Sequence, residues 1–140
     1  MKHLYILIAI FLLYNCVAPP EPDDGLIENL PFVINTAEAF TFALRGNSYD
    51  VDESYDLSFA LDSNTVLSTT LVVNEYSGSD STLIYLNNSA DSTLVWYLIL
   101  GNMVYTRSDT MRGNELGYPG KINVGGTNFN GVVDFQIIKK

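Results

Sequence analysis

Residues 94–100 read Leu-Val-Trp-Tyr-Leu-Ile-Leu, a large apolar side chain at every position, between Asp91-Ser92-Thr93 and Gly101-Asn102. Such a run suits a pleated strand, and a strand sends successive side chains to opposite faces. Both faces here are apolar, with Leu94, Trp96, Leu98 and Leu100 on one and Val95, Tyr97 and Ile99 on the other. A strand covered on one side only would carry polar residues on its second face. The pattern therefore predicts a central strand whose second face is covered by another element, a partner or a ligand. Gly101-Asn102 suits a type II′ turn, with Gly101 at the position that needs positive φ. That turn would set Leu100 against Met103, Leu98 against Tyr105 and Trp96 against Arg107.

The same chemistry extends in both directions. Phe40, Phe42 and Leu44 alternate with small or polar residues, as do Tyr55, Leu57, Phe59 and Leu61, the period of two that a half-buried strand needs. Val66–Tyr76, Leu83–Leu86, Met103–Arg107, Ile122–Val124 and Val132–Ile138 are rich in strand-forming residues. Ser63-Asn64, Ser77 to Asp80 and Asn87 to Asp91 supply turns at hairpin intervals. Leu26–Leu30 is a modest helical candidate that Pro31 stops. The expected fold is all-β, about eight antiparallel strands in a largely meander order. An immunoglobulin-like β-sandwich is favoured over a closed up-and-down barrel, because the middle strands are bulky on both faces.

The chain opens with Met1-Lys2-His3, an apolar run from Leu4 to Tyr14, and its one cysteine, Cys16. The run of about 11 residues is too short for a transmembrane helix and fits a secretory signal peptide. Leu13-Tyr14-Asn15-Cys16 resembles the lipobox of bacterial lipoproteins. That resemblance implies cleavage before Cys16, acylation of its thiol and new amino group, and anchoring in the membrane through acyl chains. By the family's sorting rule, Val17 in place of aspartate implies the outer membrane. Cleavage after Ala18 and an uncleaved signal anchor are the competing readings of the same residues. The expected organisation is a signal peptide at 1–15, a lipidated cysteine and Pro/acidic tether at 16–25, and a single β-domain at 26–140. The tether is read as a solvated spacer, though its acids loosely resemble surface-export signals.

Removing residues 1–15 leaves sixteen acids and six bases, a net charge of −10. Ten acids lie between Glu21 and Asp62, with Arg45 as the one base there. Such a field repels phosphate backbones and anionic headgroups, so nucleic acid is excluded as a partner and attachment to the membrane falls to the acyl chains. The only histidine, His3, leaves with the signal peptide, and an acylated Cys16 leaves no thiol. Ser-His-Asp and Cys-His catalysis and the usual zinc sites are thereby excluded. Gly125-Gly126 is read as a turn with no helix following, hence no phosphate loop. No enzyme activity, cofactor or metal is expected.

The remaining candidates are surface features. Asp50, Asp52 and Glu53, with Asn47 and Asp56, are read as an acidic loop between the first two long strands. Oxygen ligands there could hold calcium, but a solvated loop is the favoured reading. Tyr85, Trp96 and Tyr105 are placed on one face of three neighbouring strands, where core is the favoured reading and an exposed platform for sugar rings the alternative. Asp80-Ser81-Thr82, Asp91-Ser92-Thr93 and Asp109-Thr110-Met111 resemble an O-glycosylation motif of exported proteins in one group of Gram-negative bacteria. The resemblance would modify Ser81, Ser92 and Thr110; plain turn chemistry is the competing reading. Ser108 to Gly120, carrying Arg112, Asn114, Glu115 and Tyr118, is the expected binding loop or simply a long connection. The functional expectation is a lipid-anchored envelope module that binds or serves a protein complex. The alternative is a carrier resembling lipocalins, with a small apolar ligand inside a barrel.

Overall fold

The computed structural model describes residues 24–78, 81–110 and 117–140. Among them run seven strands: β1 Phe32–Asn35, β2 Ala39–Asp56, β3 Val66–Asn74, β4 Thr82–Asn87, β5 Thr93–Ile99, β6 Met103–Thr110 and β7 Lys121–Lys139. No described residue is helical. The candidate helix at Leu26–Leu30 is instead a single turn, with Leu30 N–H donating to Ile27 O at 3.2 Å and Asn29 at φ 59°. The strands form one antiparallel sheet of order β1-β2-β7-β3-β6, with β4 attached to β7 and β5 to β4. The fold is all-β, and the sheet is not closed into a barrel.

Two strands are far longer than their expected counterparts. Ile122–Val124 and Val132–Ile138, expected as separate strands, belong to one strand, β7. Likewise β2 runs on through the residues expected to form an acidic loop, while Leu57–Leu61 lies outside it. The lengths are tolerated because both strands bend. Phe40 and Tyr55 are fifteen positions apart, so a straight strand would separate them by roughly 50 Å. Their ring centroids lie 5.7 Å apart, and those of Phe42 and Tyr55 6.1 Å. β2 therefore doubles back over itself, and its partner β7 follows.

The bend has a local cause. The β2–β7 register is regular from Ala39↔Ile138 to Gly46↔Gly131, shifts twice around Tyr49, and resumes at Val51↔Gly126. Bulges of this kind bend a strand and sharpen its twist. Ser48, Asn128 and Gly131 have φ of 52°, 51° and 140°. Side chains from the opposite strand take up the backbone N–H groups freed there. Ser48 N–H donates to Asn130 Oδ1 at 2.9 Å, and Asn128 N–H donates to Asp50 Oδ1 at 2.8 Å. Gly46 lets the Phe129 ring lie directly on the β2 backbone, where any Cβ would overlap it.

Folding the sheet at this point makes a sandwich-like pair of layers. The first is β1-β2-β7-β3-β6, built on the Ala39–Gly46 half of β2 and the Gly131–Ile138 half of β7. The second is β2-β7-β4-β5, built on the other halves. Between the layers lie Phe40, Phe42, Phe129, Phe135, Leu71, Ile84, Ile99, Ile122 and Ile137, essentially without solvent exposure. Tyr97 of β5 meets Phe135 of β7 at 5.4 Å and Tyr105 of β6 at 5.6 Å.

This arrangement overturns the Gly101-Asn102 hairpin and, with it, the meander order. β5 pairs with β4, and β6 pairs with β3. Gly101 is not among the residues at positive φ. Met103 lies opposite Val73, and Asn102 Oδ1 accepts from Tyr76 N–H at 2.8 Å. The dipeptide thus crosses between layers, and β5 and β6 meet through their faces. The expected central strand Leu94–Leu100 corresponds to β5, which among the described residues has one neighbour, β4.

Candidate functional site

β5 settles which of its two apolar faces is core. Ile84 lies opposite Tyr97, and Ile84 and Ile99 are fully buried. Tyr97 points between the layers, so Trp96 points out, and it is 59 % exposed. Tyr105 is half-buried on β6 against Tyr97, on the interior side. The expected trio of Tyr85, Trp96 and Tyr105 is therefore reduced to the outward pair Tyr85↔Trp96. The expectation of Trp96 as core is thus corrected by the register. A shift of one residue exchanges the faces of a strand, and both faces here are equally apolar.

Two rows of side chains cross the outward face of the second layer. Asp52, Gly125, Leu83 and Leu98 form one, and Ser54, Asn123, Tyr85 and Trp96 the other. Directly opposed side chains on one sheet face have Cβ atoms about 5 Å apart, so Trp96 is the cross-strand neighbour of Tyr85, one strand further from β7. In the next row Gly125 has no side chain, and a Cβ built there would meet nothing within 4 Å. The result is an open groove of about 460 Å³ lined by Asp50, Val51, Asp52, Ser81, Leu83, Tyr85, Gly125, Gly126 and Thr127. Gly126 has a different role, since a Cβ there would strike the buried Thr82 side chain.

The polar groups around the groove are partly committed. Asp50 Oδ1 accepts from Asn128 N–H. Ser54 Oγ donates to Asn123 Oδ1 at 2.6 Å, which leaves the Asn123 amide N–H₂ to donate elsewhere. Asp52 is exposed on the groove wall. Glu53 falls on the opposite side of β2, where it accepts from Tyr55 O–H at 3.4 Å. Burial, reinforced by the Glu53 carboxylate, pushes the Tyr55 phenol up to about 12. The acidic stretch is thus a strand and not a loop. Alternation sends its carboxylates apart, and among the described residues no three His, Cys, Asp or Glu converge on a metal position.

A smaller groove of about 240 Å³ lies at the bend, lined by Glu28, Arg45, Gly46, Asn47, Glu75, Ser77, Asn130 and Gly131. Arg45 binds Asp24 at 2.6 Å and Glu75 at 2.8 Å there, so its charge is already matched. Asn29 and Asn47 bond reciprocally, Asn47 N–H to Asn29 Oδ1 at 2.7 Å and Asn29 Nδ2 to Asn47 O at 3.2 Å.

Of the other candidates, Ser81 is exposed at the groove. Ser92 is half-buried in the turn after β4, its N–H donating to Asn88 Oδ1 at 2.9 Å. Thr110 ends β6, and its side chain, like Cys16, Arg112, Asn114 and Glu115, lies outside the described residues. Tyr118 is half-buried beside buried Pro119. Gly120 N–H donates to Asn87 O at 2.8 Å, so the last part of the expected binding loop is docked on the end of β4. Gly125, Asn123, Ser54 and Leu83 are absent from the sequence-based candidates. The one signal for them is Gly125-Gly126 beside the alternating Ile122 and Val124, which marks a close backbone approach within a strand as readily as a turn.

No protein-family model matches the chain, and neither a curated protein nor a solved structure does.

Proposed function

We propose that the protein is a lipid-anchored, non-catalytic binding module of the cell envelope, held by acyl chains on Cys16 in the outer membrane. Its working surface is the outward face of β7, β4 and β5. The observation that supports this most directly is Trp96, the only tryptophan, standing 59 % exposed opposite Tyr85, which lines the open groove. Tryptophan is largely buried on average, and leaving its ring in water forgoes roughly 2–3 kcal/mol of burial. The absence of histidine and of a free thiol from the mature chain supports a role without catalysis. A carrier of the lipocalin kind would need a closed barrel around an apolar cavity. Here the sheet is open and Tyr97, Phe135 and their neighbours meet across its interior, so a ligand site belongs on the outer face.

Two experiments test the two halves of this reading. Cys16→Ser should abolish metabolic labelling with alkyne-palmitate, and undiminished labelling would remove the anchor. A photo-crosslinking amino acid at position 96 should capture envelope material in intact cells, while the same probe at exposed Ser108 should not. Equal capture at both positions would remove the working surface.

A further inference from the structure

We infer that the groove and the neighbouring Trp96 form a binding site for an uncharged glycan, one pyranose ring stacked on Trp96 and the next seated between Tyr85 and Gly125. The inference rests on the surface assignment above and names its ligand. A pyranose has an apolar C–H face and a rim of hydroxyls, so it needs a flat aromatic partner beside hydrogen-bonding groups. Trp96 and Tyr85, in register on one face, supply the first. Asp52 on the groove wall and Asn123, whose Oδ1 is already occupied by Ser54, supply the second. Carboxylate acceptors form strong charge-assisted bonds with hydroxyls, and the Asn123 amide adds a donor. The bare backbone at Gly125 lets a ring approach the sheet closely. The volume of about 460 Å³ lies within the usual range for small-ligand sites.

The same residues exclude other ligands. Asp50 and Asp52 on the wall and the net charge of −9 oppose anionic polysaccharides and phosphorylated ligands. An acyl chain laid in the groove would strip water from those carboxylates without pairing them, which is costly. Uncharged sugars meet neither obstacle.

Trp96 is also the natural reporter, because no other tryptophan contributes to the fluorescence. The detergent-solubilised full-length protein would be titrated with hexasaccharides of β-1,4-glucan, xylan and α-mannan, and with polygalacturonate. At least one uncharged hexasaccharide should give a saturable change in tryptophan emission, with polygalacturonate about tenfold weaker or more. By calorimetry, Trp96→Ala and Gly125→Leu should each weaken that binding about tenfold or more. Both positions are at the surface, so thermal melts of the two variants should match the parent protein. Absence of binding by every uncharged hexasaccharide, preferential binding of polygalacturonate, or binding indifferent to both variants would overturn the inference. Site-specific crosslinking at position 96 without any glycan binding would refute the ligand class and leave the surface assignment standing. Loss of both would refute the two together.

Discussion

At the scale of single residues, the glycines divide by what lies over them. Gly46 faces the Phe129 ring and carbonyl at overlapping distance, whereas Gly125 faces open space. Gly46→Ala should therefore destabilise the domain by about 1–3 kcal/mol through overpacking. Gly125→Ala should change stability by no more than about 0.5 kcal/mol. Urea unfolding of the two variants checks the contrast, and equal losses would mean that the bend is not built on this contact. Tyr55 makes a different prediction. Its phenol is held at about 12 in the folded protein against 10.0 ordinarily, so folding favours the neutral form. The stability it contributes is complete below pH 10 and is lost as the pH rises towards 12. Absorbance titration at the phenolate band should show a late-ionising component that is lost in Tyr55→Phe, and the variant's stability should fall less steeply across that window.

At the scale of elements, the bend in β2 is the feature most exposed to test. Ser48 sits at φ 52°, a conformation that costs a non-glycine residue about 1–2 kcal/mol. Ser48 is solvent-exposed, and its Asn130 bond is made through the backbone N–H, which glycine retains. Ser48→Gly should accordingly leave the fold unchanged and raise stability by up to about 1 kcal/mol, offset in part by the added freedom of the unfolded chain. A clear loss of stability in thermal melts would contradict the left-handed geometry. Gly101 is the counter-example. As the first central residue of a II′ turn it would refuse a β-branched side chain. As a connection between layers, it lies outside the positive-φ set and has nothing within 4 Å of the place a Cβ would take. It should therefore accept valine within about 0.5 kcal/mol. The β-character of both regions was legible from alternation and composition. Their pairing was not, because Gly-Asn and Gly-Gly serve turns, bulges and crossovers alike.

At the scale of the whole molecule, Arg45 joins Asp24, in the stretch expected as tether, to Glu75 just after β3. The hydrogen bond from Arg45 holds the Asp24 carboxyl below its ordinary 3.8. The stabilisation is thus present above pH 3.8 and is lost as the pH falls through the lowered folded value. Arg45→Gln should flatten the acid limb of a stability profile as the pH falls below 3.8. Because the pair is largely at the surface, salt should weaken the effect in the parent protein. An unchanged acid limb would show that the pair contributes nothing measurable. What the amino-acid order determined by itself was the all-β class and the acidic balance of charge, since these follow from composition and from a period of two that no other element shares. Tertiary structure decided that one expected pair of strands is the single bent strand β7, that β2 bends through the expected acidic loop, that Tyr97 faces inward and Trp96 outward, and that Gly125 opens a groove. The physical reason is the same in each case. Where both faces of a strand are apolar, or a glycine can serve several backbone shapes, local chemistry is degenerate, and only packing the two layers around Phe40, Phe129 and Phe135 selects one outcome.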